Sequence, residues 1–379
     1  MLILKNADVY APEPLGLRDV WTAAGKILSI QAVNSEPPKG WTVLDLQGLK
    51  LCPGFIDQHI HLIGAGGKAG FASLNPEIPL EDLVATGSTT VVGLLGTDGS
   101  GRSIKTLYSR TKALDQLGIS AYMFTGYYGL DPNYITENVM SDMVFIDKVL
   151  GCKIAISDVR SSYPTDLDLL RLLRDVRVGG KLANKKGILH LHLGNLRSGM
   201  DQLFRLVEEH QFPIENISPT HVGRYQALFE QAIAFAKLGG MIDITTGASK
   251  YTEPWEMVIY ALNQGVEMNK MTFSTDGYAG LDRLNEKKEV IGWRPAPITA
   301  NYEQFVELYQ RGGLPLEMAL QTVTSNPAHN LGLTQKGRLA VGADADFLVL
   351  NEDLKIEMVL AHGQIMLNHL FANSLYNGL

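Results

Sequence analysis

The 379-residue sequence predicts an α/β fold, a (β/α)₈ TIM-like barrel with a small β-sandwich domain formed by the N- and C-terminal segments. Three observations carry this expectation. From residue 53 onward, short β-rich runs alternate with stretches of helical periodicity, the pattern of a parallel sheet. Eight such runs occur in series. Short strand-like pieces also lie at both ends of the chain, outside the alternation.

Taken in order, Leu2-Ile3-Leu4, Asp19 to Ala23 and Lys26 to Ile30 are strand-like pieces separated by turn residues. The candidate barrel strands are Gly54 to His61, Thr90 to Leu95, Ser120 to Thr125, Lys153 to Ser157, Gly187 to Leu193, Ile217 to Val222, Met241 to Thr246 and Met271 to Ser274. Between them Ser103 to Leu117, Leu167 to Val176, Ser198 to His210 and Tyr225 to Leu238 are amphipathic and long enough for crossover helices. Eight units in series argue for a closed barrel, although a doubly wound sheet would read similarly. Tyr278 to Pro297 is long, charged and poor in periodicity, which predicts a loop that serves a site. Gly337 to Leu350 then returns to short strands, and pairing this tail with the N-terminal pieces gives two domains. Residues 1–50 plus 335–379 would form the small β unit, and residues 51–334 the barrel.

Composition narrows the function. At 45% hydrophobic and 19% charged residues, the chain can bury enough apolar surface to fold throughout. The net charge of −7 is spread along it with no run of Lys and Arg, which argues against nucleic acid as a partner. Two cysteines, Cys52 and Cys152, suit a reducing compartment better than a disulfide framework. No apolar stretch approaches 18 residues, and the N-terminus lacks the basic region and cleavage site of a signal peptide. The expectation is a cytoplasmic protein that does not enter a membrane.

Residues with chemical potential recur at the ends of the candidate strands. His59 and His61 are two apart on a strand, so both imidazoles face one side and can share a metal. A histidine pair by itself could equally be barrel packing. His192 closes the fifth strand, His221 the sixth and Asp276 the eighth, where active sites of this fold collect, and that recurrence weighs against packing. His190 faces the same side as His192, which is preferred because it is nearer the loop. Lys153 opens an apolar strand; if buried, its amine would be neutral and able to add carbon dioxide. The resulting carbamate would offer two oxygens to bridge cations, whereas a lysine at a strand start is more often exposed. The set suits two divalent ions, with zinc expected, that would hold a bridging hydroxide and polarise a carbonyl.

These residues, with Asn326-Pro327-Ala328 and Gly342-Ala343-Asp344-Ala345-Asp346, resemble the amidohydrolase superfamily, whose members cleave amide and ester bonds. The segments Pro53 to Gly64, Val91 to Asp98, Ala155 to Asp158, Pro219 to Val222 and Gly240 to Thr245 are more closely similar to the isoaspartyl dipeptidases. The similarity runs over nearly the whole chain; His-x-His is generic, while Gly93-Leu94-Leu95-Gly96-Thr97-Asp98 is more particular. The resemblance implies His59 and His61 on one metal, His192 and His221 on the other, and a carbamate on Lys153 between them. It implies Asp276 as metal ligand and general base, and Tyr128 as hydrogen-bond donor to the scissile carbonyl. Arg160 and Arg224 match positions that bind the dipeptide's terminal carboxylate, and Gly66 and Thr97 match positions that hold the isoaspartyl carboxylate.

Two positions depart from that pattern. Where the family has a glutamate that receives the substrate's α-ammonium, this chain has Lys68, in Gly66-Gly67-Lys68-Ala69-Gly70. Where the family has a serine after the eighth-strand aspartate, it has Gly280. The expected activity is hydrolysis of an amide bond in a small anionic substrate, with isoaspartyl dipeptides as reference. The alternatives are a cyclic-amide hydrolase of the dihydroorotase or hydantoinase kind and an amidohydrolase of N-blocked amino acids. A barrel kept only as a scaffold would be expected to lose metal ligands, and this chain keeps each of them. Lys68 has a further option, pairing with Glu77 or Asp98. The resemblance also implies a homo-oligomer, an octamer being one arrangement it admits.

Overall fold

The computed structural model describes residues 1–248 and 250–370. The N-terminal pieces fold as β1 (Leu2–Tyr10), β2 (Pro14–Ala23), β3 (Lys26–Gln31), β4 (Thr42–Asp45) and β5 (Lys50–Pro53). Eight further strands follow: β6 (Phe55–Ile60), β7 (Ser88–Gly93), β8 (Ser120–Gly126), β9 (Val149–Ile156), β10 (Ile188–Leu193), β11 (Ile217–Thr220), β12 (Ile242–Thr245) and β13 (Met271–Ser274). They form one sheet in sequential order, every neighbouring pair parallel. Their residues are buried almost without exception, as expected for strands covered on one side by barrel packing and on the other by helices.

The sheet closes just beyond the ends of β13 and β6. Asp276 N–H donates to the His59 carbonyl at 3.0 Å, and His61 N–H donates to the Gly277 carbonyl at 2.9 Å. The seam therefore delivers Asp276 to the side of both histidines. Helices α1 (Leu80–Ala85), α2 (Ile104–Gln116), α3 (Val139–Phe145), α4 (Asp166–Leu182), α5 (Asp201–Glu208), α6 (Gln226–Lys237) and α7 (Pro254–Asn263) connect successive strands. Their starts are chemically marked. Ser103 caps α2 by accepting from Thr106 N–H, and Thr165 and Asp168 form a reciprocal capping box on α4.

The stretch expected to be a loop after β13 is instead an antiparallel hairpin, β14 (Gly280–Leu284) with β15 (Val290–Pro295). Most of its residues are exposed on both faces. With no face buried, it shows no apolar alternation. The chain then passes through α8 (Ala300–Gln310), α9 (Leu316–Gln321) and α10 (Ser325–Leu331) to β16 (Phe347–Leu350), β17 (Ile356–Ala361) and β18 (Gln364–Asn368). These last strands join the N-terminal ones in the order β18-β17-β16-β5-β1-β2-β3, with β4 also on β1. This terminal sheet has its own apolar core, including Leu4, Val20, Leu51, Phe347 and Leu360. The C-terminal limit expected for it, residue 379, lies outside the described residues. Lys336, 3% exposed, ties it to the barrel by bonding Ser120 Oγ of β8 at 2.5 Å, Asp344 at 2.7 Å and Asp346 at 2.5 Å.

Candidate active site

His59 and His61 lie at the end of β6, and the closing seam brings the Asp276 carboxylate within 3.3 Å of His59 Nε2 and 3.1 Å of His61 Nε2. His221 comes from the end of β11, with its ring 4.8 Å from that of His59 and 4.5 Å from that of His192 at the end of β10. His221 and Asp276 leave their strands with φ of +62° and +52°, a backbone region that bulky or charged residues enter only where surrounding bonds hold them. For Asp276 those bonds include the seam to His59 and the Ala279 N–H to its own carbonyl, 3.0 Å. Asp57 supports the same junction from below, accepting from Thr275 Oγ1 and from the backbone N–H groups of His59 and Thr275.

Burial keeps the imidazoles neutral. It pushes His59 down to about 3, and His61, His192 and His221 are also lowered by it. Neutral imidazole is the form that binds a metal. Burial pushes the Asp276 carboxyl up, but neighbouring His221 and the bond from His61 outweigh it and leave a carboxylate. Among the described residues His221 Nε2 is buried without a hydrogen-bond partner, and His59 Nε2 is buried with the 3.3 Å Asp276 contact but no hydrogen bond. Unsatisfied buried polar atoms normally cost about 1–3 kcal/mol each, and a cation between these two nitrogens and Asp276 would satisfy both. Ligand atoms of His59, His221 and Asp276 all lie within 4.8 Å of one another, so these three could hold a metal ion.

Lys153 is 1% exposed. Its strand begins at Val149, four residues earlier than the sequence suggests, so it sits in the barrel interior rather than at a strand start. Its Nζ donates to the Leu95 carbonyl at 2.5 Å and lies 4.9 Å from the centre of the Tyr128 ring. Burial brings its pKa down to about 7, so much of it is the neutral amine near neutral pH. His190 lies deeper. Its Nε2 is 2.8 Å from His59 Nδ1 and its Nδ1 is 3.1 Å from Ser218 Oγ, which fits a residue that orients His59. Thr245 Oγ1, 2.6 Å from His221 Nδ1, orients the other ring in the same way.

Above these groups opens a cavity of about 560 Å³, within the range of small-molecule sites. Every residue expected to contact substrate lines it: Gly66, Lys68, Thr97, Tyr128, Arg160, Arg224 and Gly280. The Tyr128 hydroxyl is 2.9–3.0 Å from the ring nitrogens of His192, and burial pushes its pKa up, so it stays a protonated donor. The two arginines differ. Arg160 is clamped by Asp158, donating from Nε at 2.9 Å and NH2 at 2.5 Å. Arg224 has its Nε buried without a partner, and one guanidinium nitrogen lies 3.3 Å from His192 Nε2. Lys68 pairs with neither Glu77 nor Asp98 but with Asp282 of the hairpin, at 3.4 Å.

Asp158 was given no role by the sequence. It takes the Arg160 fork on one side and stands 3.1 Å from His192 Nε2 on the other. Its place two residues before Arg160 at a strand end was a local signal, but its bond to His192, 34 residues away, is tertiary. Burial pushes this carboxyl up, yet the bonds from Arg160 and His192 hold it well below the usual range.

Histidines, a lysine and an aspartate thus converge at the strand ends of a parallel barrel, where active sites of this fold lie. The chain belongs to the amidohydrolase family, which residues 180–366 match. It is similar over its full length to a solved structure of beta-aspartyl dipeptidase from Fervidobacterium islandicum AW-1 in complex with beta-Asp-Leu dipeptide: 36% identical, covering 100% of both chains, TM-score 0.90. Allantoinase of Enterococcus faecalis is 23% identical over 92% of this chain and 86% of its own. A short segment is 57% identical to allantoinase of Deinococcus radiodurans, over 42 residues that make up 11% of this chain and 9% of that one. Among the described residues no helix is long and apolar enough to cross a membrane.

Proposed function

We propose that the protein hydrolyses the amide bond of a small acidic compound, with isoaspartyl dipeptides as the reference substrate. The observation that supports this most is the buried His59, His61, His192, His221, Asp276 and Lys153 cluster beneath a cavity that holds an unpaired guanidinium, Arg224. The full-length likeness to beta-aspartyl dipeptidase favours the same substrate class. Two divalent ions, zinc by the nitrogen and oxygen donor set, would polarise the scissile carbonyl and make water a nucleophile at neutral pH. His59, His61, His192, His221 and Asp276 would hold them, together with Lys153 in carbamylated form.

The remaining work falls to the protein's own groups. Asp276, a carboxylate beside both His59 and His61, accepts the proton of the attacking water and returns it to the leaving nitrogen. The Tyr128 hydroxyl donates a hydrogen bond to the carbonyl oxygen as negative charge develops there and keeps its proton. Arg224 receives a substrate carboxylate through its guanidinium fork. Asp158 positions both Arg160 and His192.

Ring opening of a cyclic amide is a second reading, supported by the allantoinase relative that spans 92% of this chain. An unpaired arginine in the cavity favours the open, anionic substrate. The test is release of leucine from β-Asp-Leu, and from versions lacking the free amine, by zinc-loaded protein with Lys153→Ala as blank. A rate above the blank, at about 10⁴ M⁻¹s⁻¹ or more for the best of them, is expected. No release from any of them by protein that retains its metal would overturn the proposal.

A further inference from the structure

The cavity carries an imbalance of charge that amide hydrolysis does not itself require. Among its described lining residues, Lys68, Arg160 and Arg224 are cationic, and Asp158 and Asp276 are the carboxylates. Both carboxylates are already committed. Asp276 lies against His59 and His61, and Asp158 is taken by the Arg160 fork and by His192. No lining carboxylate is left to receive a substrate ammonium ion.

Lys68 and Arg224 come from different parts of the barrel rim. Arg224 follows β11 and Lys68 follows β6, three strands further round the barrel. Lys68 meets Asp282 at 3.4 Å, but the two side chains are 47% and 40% exposed. Such an exposed pair contributes little, so a substrate anion entering the cavity can compete with Asp282 for the lysine. Lys68 and Arg224 line one cavity of about 560 Å³, a volume within the range of sites for small molecules.

We propose that this cavity recognises amides with a carboxylate at each end and no free ammonium, the class of N-succinyl amino acids. The inference rests on the hydrolase reading above. An N-succinyl amino acid has the scissile amide and both carboxylates of an isoaspartyl dipeptide, and differs from it only by lacking the α-ammonium. Its hydrolysis is balanced: water's hydroxyl joins the acyl carbon as the C–N bond breaks, the nitrogen takes the proton, and the products are succinate and an amino acid. Lys68 would attract the succinyl carboxylate and repel an ammonium placed beside it.

The matched pair N-succinyl-leucine and β-Asp-Leu tests this in the zinc-loaded, full-length protein. Two ratios are read in the wild type and in Lys68→Glu: kcat/KM for the two amides, and Kd by calorimetry for the two acids they release, succinate and L-aspartate. The wild type should favour the succinyl member by about tenfold or more in both ratios, and Lys68→Glu should move both by at least about tenfold towards the ammonium-bearing member. Equal binding of succinate and aspartate, with Lys68→Glu changing neither ratio, would overturn the inference even if β-Asp-Leu is cleaved. If neither amide is cleaved yet succinate binds better in a Lys68-dependent way, the charge recognition stands and the hydrolytic reading falls.

Discussion

Exchanging Arg224 for methionine should weaken turnover and stabilise the fold, whereas the same exchange at Arg160 should destabilise it. Among the described residues Arg224 has no ion-pair partner: its Nε is buried and unpartnered, another of its nitrogens is 3.3 Å from a histidine, and burial pulls its pKa down. In the complex it would make charge-assisted bonds to a substrate carboxylate, worth about 3 kcal/mol together, so kcat/KM should fall by about 150-fold. In the free protein, methionine keeps much of the apolar stem and removes the desolvated charge, a gain of about 0.5–2 kcal/mol.

Arg160 is 46% exposed but holds Asp158, whose side chain is 5% exposed, at 2.5 Å. Arg160→Met leaves that buried carboxylate with His192 and the backbone N–H of residue 160 but no cation, and should cost about 1–3 kcal/mol after allowance for Arg160's access to water. Urea denaturation of metal-free protein measures stability without the contribution of bound zinc, and zinc-loaded protein gives kcat/KM. Arg224→Met that unfolds more easily than the wild type, or that keeps kcat/KM within about twofold, would refute the assignment of Arg224 as the anion receiver.

Gly280→Ser should raise KM by about tenfold or more with metal content unchanged, because a Cβ at Gly280 would stand 2.7 Å from the Cα of Gly66, itself at φ +113°. Metal analysis and steady-state kinetics check both halves of that statement. Lys336→Met should lower unfolding stability by about 3 kcal/mol in urea, since it leaves the buried Asp346 carboxylate without its cation, and should leave KM unchanged. Burial holds Lys186 down to about 8, below the ordinary lysine value of about 10.4, so the folded state releases this proton before the unfolded state does. Stability from this group should therefore rise between about pH 8 and 10.4 and be flat below; Lys186→Met should remove the rise in denaturation midpoint between pH 7.5 and 9.5, about the window where it begins.

The barrel was legible because its strands are buried on both faces and read as dense apolar runs between helices with marked starts. What escaped had other causes. The strand carrying Lys153 looked as if it began there, because Gly151 interrupts the β-rich run; a Cβ at that glycine would lie 2.1 Å from the Ile188 carbonyl, so the close approach of β9 and β10 requires it. The β14–β15 hairpin was hidden by its exposure, since alternation appears in sequence only where one face is buried. His190 and His192 share a face by the two-residue period, and only depth along the strand separates a group near the cavity from one that bonds His59. The pairing of Asp158 with His192 and that of Lys68 with Asp282 depend on neighbours that only the closed barrel and the folded hairpin bring together.

The site divides into two parts with different mechanical support. His59, His221 and Asp276 are fixed by the barrel seam, by Asp57 and Thr275, and by His190 and Thr245, so altering one disturbs bonds that also close the sheet. Lys68, Gly280 and Asp282 lie on the loop after β6 and on the hairpin, where Lys68 and Asp282 are largely exposed and nothing in the barrel depends on their charge. A charge reversal at Lys68 therefore changes what the cavity attracts without straining the cluster beneath it. The tight Gly66–Gly280 approach limits that freedom, since it brings the loop and the hairpin together beside the cavity. Substrate preference and hydrolytic chemistry are then separable properties of this chain, and a variant that inverts the first while preserving metal content is the physical signature of that separation.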